Sequence, residues 1–139
     1  MSDAADRSNY RFLHTMIRVR DLEKSLDFYT RHLGMNILRR REFPDGRFTL
    51  AFVGYGEETH NTVIELTHNW DQEDAYDLGS AFGHLAVAVP DVYETCDALE
   101  KEGVAIPRPP GPMKFGGSQT HMAFIEDPDG YRIELIQRA

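Results

Sequence analysis

The chain has 139 residues, enough for one compact domain with a real core and too few for two ordinary domains side by side. Its 15 Lys and Arg against 23 Asp and Glu give a formal charge of −8, which argues against nucleic acid or an anionic membrane as the main partner. No apolar run reaches the roughly 20 residues of a membrane span, and the polar start MSDAADRSNYR lacks the apolar stretch of a signal peptide, so a soluble, cytoplasmic protein is expected.

Residues 1–11 are expected to form a flexible leading segment. From His14 the sequence HTMIRV alternates as a strand, with His14, Met16 and Arg18 on one face. Asp21 then suits a helix N-cap, Leu22, Leu26, Tyr29 and Leu33 fall at helical spacing, and Gly34 suits the left-handed position that ends a helix. Period-two segments come next at Asn36 to Arg41, Arg47 to Val53 and Thr62 to Thr67. In the last of these, Ile64 and Leu66 share one face while Glu65, Thr67 and, if the strand extends, Asn69 share the other. The basic run Arg39 to Phe43 is expected to be a solvated strand without a role.

The plan then repeats. His84 opens a second alternating strand with Ala86 and Ala88 on its face. Asp91 and Glu94 resemble a capping box, Val92, Cys96 and Leu99 make an apolar stripe, and Gly103 ends the helix. Cys96 is the only cysteine and is read as a core residue, which excludes an intrachain disulfide and a thiolate metal cluster. Further strands are expected at Val104 to Pro107, His121 to Ile125 and Tyr131 to Gln137, with DPDG from Asp127 to Gly130 as a turn rather than a calcium loop.

His84 lies 70 positions after His14, Met122 of MAFI lies 72 after Leu50 of LAFV, and Glu134 of RIEL lies 69 after Glu65 of VIEL. Self-similarity over half the chain marks a duplicated supersecondary unit, here strand, helix and three strands in each copy. The repeats run over about 12–70 and 82–137 inside one domain, 12–139, of α+β class. Two histidines and two glutamates at equivalent repeat positions form a reasonable N/O ligand set for a divalent metal such as nickel, zinc, cobalt or manganese. His32, His60, His68 and His121 have no counterpart in the other repeat and are read as surface or supporting residues, His121 least firmly.

The motifs LHTMIRV, SLDFYT, LAFVGYG, VIELTHNW, FGHLAVAV and AFIEDPDGYRIELI together resemble the vicinal oxygen chelate superfamily of paired βαβββ units. Within it the resemblance is closest to the compact bacterial lactoylglutathione lyases of the glyoxalase I family, from about Phe12 to Gln137. The resemblance implies metal ligands at His14, Glu65, His84 and Glu134, supplied across the interface of a homodimer. It implies isomerisation of the methylglyoxal–glutathione hemithioacetal to S-lactoylglutathione through an enediolate, as methylglyoxal detoxification. Glu134 is expected to shuttle the proton, with Glu65 as the steadier ligand or the base for the opposite stereoisomer.

The same resemblance places Arg18, Asn69 and Lys114 against glutathione, with Gly116 and Gly117 in a loop suited to closing over substrate. Nickel is favoured, with zinc or cobalt as the other metals. The competing functions are a thioester epimerase of the same superfamily and a non-enzymatic drug-binding module on the same fold. An extradiol dioxygenase is disfavoured by the fourth ligand, Glu65.

Overall fold

The computed structural model of the protein describes residues 6–115 and 119–138. The chain divides after Glu73 into two compact units.

In the first unit, β1 (His14–Arg18) leads into α1 (Leu22–Asp27), and then come β2 (Asn36–Phe43), β3 (Phe48–Gly54) and β4 (Val63–Asn69). The Asp21 carboxylate accepts from the Lys24 amide at 3.1 Å, satisfying a donor that the first helical turn leaves open. Past Asp27 the helix widens into a π-helical turn, Phe28–His32, and Gly34 ends it at φ +70, a conformation a side chain disfavours. The sheet order is β1-β4-β3-β2, with β1 and β4 parallel and the other neighbours antiparallel. Ile17, Ala51, Val53 and Leu66 form its buried face, and the helix turns Leu22, Leu26 and Tyr29 inward. Full burial of one such side chain stabilises by about 1.5–3 kcal/mol.

The second unit repeats this order with β5 (Leu85–Val89), α2 (Val92–Lys101), β6 (Arg108–Pro112), β7 (His121–Glu126) and β8 (Arg132–Gln137). Its sheet order, β5-β8-β7-β6, is the same connectivity. Asp91 caps α2 by accepting from the amides of Tyr93 and Glu94, and Val92, Cys96 and Leu99 are its buried stripe. The Asp127 carboxylate accepts from the amides of Asp129 and Tyr131, both at 2.9 Å, so it is committed to the turn before β8. The α+β class with two tandem βαβββ units therefore holds.

Three local expectations differ from the structure. Val104 to Pro107 is not a strand; the edge strand is β6, which starts at Arg108 and carries Pro109, Pro110 and Pro112. Proline has no amide to give a ladder, so this run is tolerated only at an edge and around the irregular register between Arg108 and Gly111. Arg47 belongs to the turn before β3, at φ 56, rather than to the strand. His84 lies one residue ahead of β5. Among the described residues before β1, Asp6 caps a short 3-10 turn over Arg7–Asn9.

Candidate functional site

The strand registers decide which side chains meet. Met16 and Phe52 flank Glu65 on either side, so the face of the first sheet away from its helix carries His14, Glu65 and Phe52. His14 Nε2 lies 2.9 Å from Glu65 Oε2. The second unit builds the same arrangement: Ala86 and Phe124 flank Glu134, and His84 Nε2 lies 3.4 Å from Glu134 Oε1.

Burial makes these contacts more than incidental. The glutamate side chains are only 15% and 14% exposed, whereas their histidines are 35% and 43% exposed. A carboxylate taken that far out of water needs a compensating partner. The histidine of each pair thus stays more accessible to solvent than its glutamate. Both residue types are ordinary ligands of divalent nickel, cobalt and zinc, so the donor chemistry fits such an ion. Among the described residues, no group of three or more His, Cys, Asp or Glu side chains is placed to hold a metal ion. Each unit by itself brings together one histidine and one glutamate.

The histidines are backed by aromatic walls. His14 and Phe52 meet in a T-shaped contact with centroids 5.5 Å apart, and His84 and Phe124 do the same at 5.2 Å. Neither phenylalanine was singled out from sequence. The signal was present, because the LAFV and MAFI repeats put a phenylalanine at the third position of both.

Arg18 and Asn69 stand on the same face as His14 and Glu65, each at the far end of its strand. A separation of four residues along a strand puts them roughly 13 Å from the pair. Lys114 is exposed beyond β6, with Nζ 5.5 Å from the Phe115 ring. Gly116 and Gly117 lie outside the described residues. The other histidines lie elsewhere: His32 packs on Phe28, His60 is exposed, His68 approaches the Val19 carbonyl, and Tyr93 contacts His121 Nδ1 at 2.6 Å.

Comparison with known proteins points to one family. The family model of the Glyoxalase/Bleomycin resistance protein/Dioxygenase superfamily matches residues 11–135. A lactoylglutathione lyase of Neisseria meningitidis is 62% identical over 92% of this chain and 91% of its own length. Among solved structures, glyoxalase I from Zea mays superposes with a TM-score of 0.87 at 47% identity, over 93% of this chain and 45% of that one. This chain thus spans less than half of the maize chain it matches. A Leishmania major glyoxalase I, described as trypanothione-dependent, gives a TM-score of 0.80 at 44% identity, over 93% of this chain and 87% of that one. The motifs, the duplicated topology and these matches place the chain in the Glyoxalase/Bleomycin resistance protein/Dioxygenase superfamily.

Proposed function

We propose that the protein is a lactoylglutathione lyase, a glyoxalase I, which isomerises the hemithioacetal of methylglyoxal and glutathione to S-lactoylglutathione and so removes methylglyoxal. The observation that carries this is the pair of equivalent His–Glu contacts, each a half ligand set on an open sheet face, in a chain 62% identical to a protein of that name.

His14, Glu65, His84 and Glu134 would hold the metal, with nickel favoured and cobalt or zinc as the other candidates. In a homodimer the His14–Glu65 half of one protomer would face the His84–Glu134 half of its partner, making two sites per dimer. Each unit brings together one His–Glu pair, so a four-ligand site draws on two such pairs. A bound divalent cation supplies Lewis-acid stabilisation for negative charge developing on two adjacent substrate oxygens.

The chain's own residues do the rest. Glu134 takes the proton from the carbon beside the carbonyl and returns it to the neighbouring carbon, so one carboxylate acts as base and then as acid. Its shielding from water suits a group that must keep the proton between the two steps. Glu65 holds the metal throughout or acts as base toward the opposite stereoisomer. Phe52 and Phe124 hold the imidazoles and limit water on the sheet face. Arg18, Asn69 and Lys114 bind the tripeptide, whose carboxylates call for a local cationic contact on a chain of charge −8. No described helix is long and apolar enough to cross a membrane.

The test is thioester formation from methylglyoxal and glutathione by chelator-stripped protein reconstituted with Ni(II) or Zn(II). The Leishmania major relative gives reason to run trypanothione beside glutathione. Activity with either thiol and a metal supports the proposal, and absence of activity with every combination contradicts it.

A further inference from the structure

The basic run of β2 contains a residue whose position depends on an irregularity in the strand. Ile37 pairs with Val53, but the next aligned pair is Arg39 with Phe52, so Leu38 is an extra residue in β2. Uninterrupted alternation would have paired Arg39 with Ala51 and turned it toward the helix side. The bulge instead sets Arg39 on the face that carries Glu65 and His14.

There the Arg39 guanidinium carbon lies 3.7 Å from the centroid of the Phe52 ring. Arg39 Nε donates to Glu58 Oε1 at 2.8 Å, which fixes the guanidinium from its other side. Phe52 is 3% exposed and makes the T-shaped contact with His14. One contiguous row therefore runs Glu58, Arg39, Phe52, His14, Glu65, with its last four members drawn from all four strands of the sheet.

The second unit contains the same elements and uses them differently. Arg108 pairs in register with Phe124, 69 positions after Arg39, and also adjoins an irregular stretch of its edge strand. Its guanidinium is spent on main-chain carbonyls: Nη1 donates to Pro109, Gly111 and Met122, and Nη2 to Pro112. Arg108 fastens the proline-rich edge, and among the described residues no cation stacks on Phe124.

We infer that Arg39, clamped by Glu58, is a positioning residue that holds Phe52 and through it fixes the His14 imidazole, a device the His84 half lacks. A planar cation over an aromatic face resists tilting of the ring, and the tilt of Phe52 sets the wall against which His14 rests. The structural part stands without any metal. Its consequence for metal retention rests on His14 being a ligand, as proposed above.

The experiment is NMR of the metal-free full chain, tracking the imidazole carbon-bound protons of His14 and His84 in the parent, Arg39→Met, Arg39→Lys and Glu58→Gln. Arg39 and Glu58 are both partly solvent-exposed, and the amide spectrum reports whether each variant stays folded. The Arg39→Met substitution is expected to move the His14 signals toward those of an unstructured histidine and leave those of His84 in place. Glu58→Gln has a smaller effect in the same direction, and Arg39→Lys restores part of the parent shift. Unmoved His14 signals overturn the inference, and so do His84 signals that move as far, since general loosening would then be the cause.

A second readout is Ni(II) retention against a competing chelator, in which Arg39→Met is expected to lose about tenfold, the lower end for a residue supporting a metal-bound histidine. Retention unchanged in Arg39→Met while His14→Gln releases the metal also overturns the inference. Retention unchanged in both contradicts the ligand assignment instead, and the metal-free spectra then decide the positioning role.

Discussion

His14 Nε2 and Glu65 Oε2 lie 2.9 Å apart although 51 positions separate the residues in sequence, because β1 and β4 are parallel neighbours. Parallel pairing requires a crossover, and the intervening helix and two antiparallel strands provide one. The second unit repeats the contact between His84 and Glu134.

Removing either member of a pair should therefore weaken metal binding from its own unit. His14→Gln and Glu65→Gln are expected to lose at least the roughly 10- to 100-fold in affinity that loss of a mere supporting contact costs, read by chelator competition. Equivalent losses in His84→Gln are expected on the same assay.

Glu134→Gln should be more damaging to turnover than its effect on metal content explains. With saturating metal, kcat is expected to fall by roughly 10²–10⁴, the usual contribution of a positioned acid–base group. A variant that regains parent kcat once fully metallated would assign the proton transfer elsewhere.

The duplicated cores should have similar sensitivity. Leu66 and Leu135 are both 0% exposed and occupy equivalent strands, so Leu66→Ala and Leu135→Ala are each expected to cost about 2–5 kcal/mol in denaturant unfolding. Gly103→Ala should cost about 1–2 kcal/mol through backbone strain alone, because φ is +87 and an added Cβ meets nothing within 4 Å.

Cys96 should be chemically quiet. It is 3% exposed, and burial, reinforced by the charge of Glu100, pushes its thiol pKa up. A raised pKa leaves less thiolate at neutral pH, so a thiol reagent should react much more slowly with the folded protein than in denaturant. Rapid modification of the folded chain would contradict the packing of the α2 stripe.

The helices and the His–Glu pairings were legible in sequence because their signals are local or repeated. Asp21, Asp91, Gly34 and Gly103 mark helix ends by their own chemistry, and the duplicated IEL words align the glutamates without any knowledge of register. The β6 edge was misplaced because Pro109 and Pro110 argue against a strand, and only the hairpin with β7 shows that an irregular edge accepts them. Arg39 was overlooked for a related reason. Alternation assigns faces only along an unbroken strand, and the bulge at Leu38 reverses the face of Arg39 relative to that pattern.

The central claim is tested most directly by mixing methylglyoxal and glutathione with chelator-stripped protein, alone and reconstituted with Ni(II), and monitoring thioester absorbance in the parent and in Glu134→Gln. The expected result is no turnover without metal, turnover restored by Ni(II), and loss of that turnover in the variant. Turnover that survives complete metal removal, or that Glu134→Gln leaves unchanged, would contradict the proposed mechanism.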